Sequence, residues 1–410
     1  MKDRTEMLKK YAALAVRVGI NLEEKEGLVI TTGADGLPLA RLAAEEAYTM
    51  GAKNVELLVN DDKVTLSRYI DGKEVAFEEF PSWKTAMFEG MYKDNYHHLF
   101  IISPDPELLK AADPEKVGAY QRVSSTAMAP VMRYRMTGMT KWAIVAVPSI
   151  PWAESVFPEL KGDEAVEALW DEIVKASRLD HEDPVEAWKE HDRNLKKRMD
   201  YLNGKNFEKL NFKGPGTDLE VYLASDHWWI GGSSDSSKGV PYMANMPTEE
   251  VFTAPHKLKV NGTLKSTKPL SYNGKLVEDF GFTFKDGAVT DFYAAKGGEV
   301  LEALLKNDDG AKYLGEVALV QDDSPISNTG ILFNNTLFDE NASVHFALGR
   351  AYGYSIRNGS NMTQDELAEK GANYSLIHVD FMVGGPSLDI TATDHEGNKT
   401  DIFRNGNWVI

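Results

Sequence analysis

Between Ser375 and Gly384 every second residue, Ile377, Val379, Phe381 and Val383, is apolar, while the positions between them carry His378 and Asp380, flanked by Leu376 and Met382. Only extended backbone, whose successive side chains point to opposite faces, separates those two sets. The segment predicts a strand with one face in a core and an imidazole beside a carboxylate on the other. Upstream, Phe338-Asp339-Glu340-Asn341-Ala342-Ser343-Val344-His345 brings further carboxylates and another imidazole within reach of a folded pocket.

Length and charge bound what such a strand can belong to. At 410 residues the chain exceeds the roughly 250–300 at which one hydrophobic core stops growing, so two domains are expected. Its 45 basic and 63 acidic residues leave a formal charge of −18. That balance argues against nucleic-acid and anionic-membrane surfaces and fits either cationic small ligands or plain solubility. The chain has no cysteine, so a metal would be held by His, Asp and Glu alone. The mixed charge of Met1 to Lys10 and the short apolar stretch Tyr11–Val16 do not read as a signal sequence. No apolar run approaches the roughly 18 residues of a membrane span. A soluble, cytoplasmic protein is the expectation.

In chain order, Leu8, Ala12, Ala15 and Val16 sit at helical spacing, and Gly27–Thr32 reads as a buried strand. A helix over Pro38–Met50 and a strand over Asn54–Val59 complete a βαβ unit. His98–Ser103 and Lys141–Pro148 add strands, which predicts a parallel-sheet α/β domain over residues 1–204. Its loop Thr32-Gly33-Ala34-Asp35-Gly36 matches neither the dinucleotide glycine fingerprint nor a phosphate loop. Helices are expected over Asp163–Leu179 and Pro184–Leu202, with Val166, Leu169, Trp170 and Ile173 as a core or interface stripe. Beyond Gly204, Gly214-Pro215-Gly216, Asn261-Gly262, Asn273-Gly274 and Asp286-Gly287 punctuate short strand-like runs. A β-rich α+β domain is therefore expected over residues 205–410. Trp228 and Trp229, beside a polar Gly/Ser loop, suit either a cleft or ordinary packing.

Four segments of this second domain set acidic or histidine residues at the edge of apolar runs: Asn245–Phe252, Leu314–Val320, Glu340–His345 and His378–Asp380. Glu316 stands out, because a carboxylate within Gly-Glu-Val-Ala-Leu-Val is costly to bury unless a metal or another cation compensates it. Its two oxygens also suit it to bridge two metal ions about 3.5–4 Å apart. Each segment alone has an ordinary reading. His378-x-Asp380 fits a hydrogen-bonded pair, and Asp339-Glu340-Asn341 fits a cap or turn.

Together, and in this order, Asn245–Pro255, Gly315–Val320, Asn328–Tyr352 and Asn373–Gly384 resemble the aminopeptidase S and aminopeptidase T group of bacterial metallo-aminopeptidases, over essentially the whole chain. The resemblance implies that Glu250, Glu316, Glu340, His345, His378 and Asp380 hold two divalent ions, with Glu316 as the bridge. It places Tyr352 at the active centre and implies a homodimer that encloses its sites. Zinc, cobalt and manganese all suit such ligands. The expected activity is removal of single residues from short peptides with a free N-terminus, by water activated between the metals, with Glu249 as the candidate general base and the Tyr352 phenol as an oxyanion donor. Two-metal phosphoester hydrolysis and a non-catalytic, metal-stabilised binding protein are the alternatives that the residues leave open.

Overall fold

The Leu28-Val29-Ile30 run lies in an inner strand buried on both faces, which is why it is continuously apolar rather than alternating. This computed structural model describes residues 4–272 and 275–410. The Asn273-Gly274 turn and Met1–Asp3 lie outside the described residues. Strands β1 (Gly27–Thr32), β2 (Asn54–Val59), β3 (Tyr96–Ile102) and β4 (Trp142–Ala146) form a parallel sheet in the order β2-β1-β3-β4. The β1-to-β2 crossover is the helix Leu37–Thr49, which buries Leu39, Ala40, Ala43 and Ala47 at helical spacing. His98 on β3 is a satisfied core histidine, 2.7 Å from both the Thr31 and Tyr92 hydroxyls and stacked on Phe100. Leu169, Trp170 and Ile173 of helix Asp163–Ala176 are buried as a stripe. Among the described residues, no helix is long and apolar enough to cross a membrane.

The chain divides into two compact units, one of Met1–Glu190 with Ser233–Pro247 and the other of His191–Gly232 with Thr248–Ile410. The division falls within the helix Pro184–Lys205. The second unit is β-rich and antiparallel, unlike the first. A large sheet runs from Leu270–Tyr272 through Lys275–Lys285, Pro255–Lys265, Thr217–Leu223 and Lys209–Gly214 to Asp389–Thr393 and the C-terminal strands. A smaller sheet is built from β5 (Ile230–Gly231), β6 (Val251–Thr253), β7 (Leu314–Leu319), β8 (His345–Gly349) and β9 (His378–Met382), in the order β9-β8-β7-β6-β5.

One face of the smaller sheet is core. Phe346 on β8 meets Phe212 with ring centroids 5.0 Å apart, and Phe381 on β9 meets Phe282 at 5.2 Å. Trp229 is fully buried in the same cluster, so its role is packing, whereas Trp228 is half-buried beneath the Arg357 guanidinium. With Val379 and Phe381 committed to this core, the pleat sends His378 and Asp380 to the opposite face.

Candidate metal centre

On that opposite face, strand register gathers residues far apart in sequence. Glu316 pairs with Ala347, Ala347 with Asp380, and Ala318 with His345. Ala347, the smallest side chain in the row, leaves space between the two carboxylates. Glu316 reaches this face through a bulge. Leu314 pairs with Leu348 on the core side, and strict alternation would leave Glu316 there as well; the irregularity between Leu314 and Glu316 shifts the register by one and turns Glu316 outward. Gly315 is the residue at the bulge. A Cβ there would lie 2.3 Å from the Arg350 carbonyl oxygen, so no other residue fits without displacing backbone.

The carboxylate of Glu316 then faces two histidines with different oxygens. Its Oε1 lies 3.6 Å from His345 Nε2, and its Oε2 lies 3.8 Å from His378 Nε2. Glu250 Oε2 is 3.2 Å from His345 Nε2, and Asp380 Oδ1 is 3.3 Å from His378 Nε2. The result is two groups, Glu250-Glu316-His345 and Glu316-His378-Asp380, each with its donor atoms within 4.8 Å of one another.

The orientation of both rings is set from behind. His345 Nδ1 lies 3.1 Å from the Ser343 carbonyl oxygen and His378 Nδ1 lies 2.7 Å from that of Arg350. A carbonyl only accepts, so each Nδ1 carries the proton, and in the neutral ring each Nε2 turns a lone pair towards two carboxylates. Such an arrangement is repulsive unless a cation lies between them. His345 Nε2 and Asp380 Oδ1, both buried, make no hydrogen bond despite their near neighbours. Oxygen and imidazole donors converging on two points, with unsatisfied atoms aimed inwards, fit a pair of divalent cations.

The electrostatics agree in sign. Burial opposes the charged form of His378, but Asp380 and then Glu316 outweigh it and push its pKa up to about 9. Burial likewise opposes protonation of His345, yet Glu250 and Glu316 hold it well above the ordinary histidine range. Burial raises Glu316; it raises Glu340 further, with Glu250 and Asp380 adding to the effect. Asp380 stays below the ordinary carboxylate range because the His378 pair overcomes its burial. Protons thus take up the role that metal cations would fill.

The remaining expected residues lie around this pair of groups. Glu340 belongs to neither group and shares a cavity wall with Asp380. Glu249 is buried, with Oε2 3.4 Å from His191 Nε2, and also belongs to neither group. The Tyr352 ring lies 4.6 Å from that of His378, centroid to centroid, and is tilted 42° to it. Burial first, then the charges of Glu316, Asp380 and Glu340, raise the Tyr352 hydroxyl, so it remains a protonated donor. Arg350 is used elsewhere, donating from Nε to the Ser375 carbonyl oxygen and lying over the Tyr374 ring.

The profile of the thermophilic metalloprotease family, M29, matches residues 4–408. The chain belongs to this family. It is 43% identical to aminopeptidase 2 of Geobacillus stearothermophilus, over 98% of both chains. It is 42% identical to aminopeptidase AmpS of Bacillus subtilis over the whole of both, and 41% identical to aminopeptidase T of Thermus aquaticus over 99% of both. Wild-type AmpT from Thermus thermophilus superposes with a TM-score of 0.92 at 38% identity, covering 98% of this chain and 99% of that one.

In this M29 chain two residues of the centre, Asn341 and Tyr354, have roles that the sequence does not show, and a third, Asp339, has the role read from its neighbourhood. Asn341 is fully buried; its Oδ1 accepts the Glu249 backbone N–H at 2.7 Å while its Nδ2 lies 3.5 Å from Glu340 Oε1, tying the Glu249 and Glu340 segments together. Tyr354 stacks on Tyr352 with centroids 5.0 Å apart. Asp339 accepts the backbone N–H groups of Phe333 and Asn335 at 2.7 and 2.9 Å, which is the turn-forming role that its sequence neighbourhood suggests. For Asn341 and Tyr354 the sequence carries no separate signal.

Proposed function

We propose that this metalloprotease is an aminopeptidase that removes N-terminal residues from short peptides. In this reading Glu250, Glu316 and His345 hold one divalent ion, Glu316, His378 and Asp380 hold a second, and Glu340 completes the set. The observation that carries it is the division of the Glu316 oxygens between two histidines, each tied through Nδ1 to a backbone carbonyl. Charge supports it too. The four carboxylates Glu250, Glu316, Glu340 and Asp380 bring −4 when ionised, which two divalent ions balance at +4 with both histidines neutral. Zinc, cobalt and manganese all suit this donor set.

Divalent ions in such a centre supply Lewis acidity to a peptide carbonyl and lower the pKa of water. The protein's own residues do the rest. Tyr352, held protonated beside His378, donates a hydrogen bond to the oxygen on which charge develops. Glu249 accepts a proton from the attacking water and passes it to the leaving amine, its backbone held by Asn341. The substrate's free, unprotonated α-amine would be held at the centre itself, which sets the register of the first peptide bond. A homodimer in the cytoplasm is the proposed setting, supported by the family resemblance and the absence of cysteine.

The test is mass spectrometry of one peptide supplied in free and N-acetylated forms, with and without chelator. Stepwise loss of residues from the free peptide alone, abolished by chelator and restored by metal, is the expected result. Internal cuts, or equal cleavage of both forms, refute the proposal; hydrolysis of a phosphate ester in place of the peptide assigns the centre to phosphoester chemistry.

A further inference from the structure

A cavity of about 60 Å3 opens beside the metal centre, and Glu340 and Asp380 form part of its wall. We propose that it receives the side chain of the substrate's N-terminal residue, and that it disfavours acidic side chains and those larger than leucine or methionine. This rests on the aminopeptidase reading and deepens it.

Four observations support the assignment. The first is position: a residue whose amine and carbonyl engage the centre carries its side chain only one bond away, and this cavity shares two carboxylates with the centre. Size is the second. At roughly 10–15 Å3 per water-sized occupant, the volume holds about four to six such groups. The four heavy atoms of a leucine or methionine side chain fit; the larger phenylalanine and tryptophan rings exceed it.

Chemistry of the wall is the third. Leu270 and Met382 offer apolar surface, and none of the described residues lining the cavity is basic. An acidic side chain entering it therefore meets no counter-charge from the lining. The fourth is an unused donor. Asn335 Oδ1 accepts the Leu337 N–H at 3.1 Å, but its Nδ2, buried at the cavity wall, has no hydrogen-bond partner. Buried donors are rarely left so, and a bound peptide brings a carbonyl oxygen as acceptor.

Ser271, exposed on the short strand Leu270–Tyr272, lines the same cavity, so S271L narrows it from a position the fold tolerates. The experiment compares metal-loaded wild type and variants on alanyl-, leucyl-, phenylalanyl- and glutamyl-p-nitroanilide. S271L should lower kcat/KM for the leucyl substrate relative to the alanyl one by at least about tenfold, with metal content unchanged. M382A, which enlarges the cavity, should raise the phenylalanyl substrate relative to the leucyl one. A purely structural effect lowers all substrates together and leaves these ratios alone. An active enzyme whose ratios do not move in either variant, or which cleaves the glutamyl substrate as readily as the leucyl one, overturns the pocket assignment alone. Wild-type protein that releases nothing from any of the four overturns the aminopeptidase reading and the pocket with it.

Discussion

Replacing Glu316 by glutamine keeps the shape of the residue at the middle of the site and removes its charge. In the metal-free protein the effect on stability is a near cancellation. At an effective dielectric of about 20, like charges no more than 4.8 Å apart repel by roughly 3.5 kcal/mol or more, so Glu250 and Asp380 together oppose the Glu316 carboxylate by about 7 kcal/mol or more. Protonated His345 and His378, at 3.6 and 3.8 Å, attract it by about 9 kcal/mol on the same scale. The difference is at most about 2 kcal/mol, to be set against the removal of one buried charge. With metal present no such cancellation applies, because each three-residue group loses a charged donor. Loss of an outer-shell partner alone commonly weakens metal binding by 10- to about 100-fold. A directly ligating, shared carboxylate should exceed that, which is about 2.7 kcal/mol or more. The metal-induced rise in Tm should therefore shrink by several degrees, at roughly 2–4 °C per kcal/mol for a unit of this size, while Tm in chelator moves little. Differential scanning calorimetry with and without metal, beside elemental analysis, measures both. A variant that keeps full metal content and the wild-type metal-induced rise in Tm refutes the shared-carboxylate arrangement.

Three further outcomes are expected. Tyr352→Phe removes only the hydroxyl, so kcat and kcat/KM should fall together by about 10²–10³-fold with metal content unchanged; steady-state kinetics with an unaltered kcat would return Tyr352 to a packing role. Gly315→Ala places a Cβ 2.3 Å from the Arg350 carbonyl oxygen, so it should destabilise the second unit by about 1–3 kcal/mol or more and deplete metal, both measurable by urea titration with metal analysis. In the first unit, Glu26 is buried with Lys141 Nζ at 2.7 Å and His97 Nε2 at 2.9 Å. Burial alone would raise its pKa, but these partners outweigh it and lower it from near 4.5 to about 2. Burial keeps His97 below its ordinary value, so Lys141 supplies the charge at neutral pH and the contribution is at most about 3 kcal/mol. Because the folded pKa is the lower one, this stability is present above about pH 4.5 and is lost as pH falls towards 2. The Tm difference between wild type and Glu26→Gln should narrow over that window; a difference that stays constant from pH 7 to pH 2 refutes the pairing.

Local pattern by itself determined much of this protein. The continuous apolar run at Gly27–Thr32 is a buried parallel strand, and the alternation through His378–Met382 sorts core from site side by side chain, because the strand period is a property of the backbone. The absence of cysteine by itself restricts metal donors to carboxylates and imidazoles. Tertiary structure alone decided how those donors meet. Alternation counted from Leu314 puts Glu316 in the core, and only pairing with β8 reveals the bulge at Gly315 that turns it to the site. The same pairing sets Ala347 between Glu316 and Asp380, and the folded loop brings Asn341 beneath Glu249. The small side chain and the buried amide show nothing unusual in the sequence, because their importance lies in contacts between segments about 30 to 90 residues apart. Register and loop closure are settled by the packing of the whole sheet, so they cannot be read from any one of its strands.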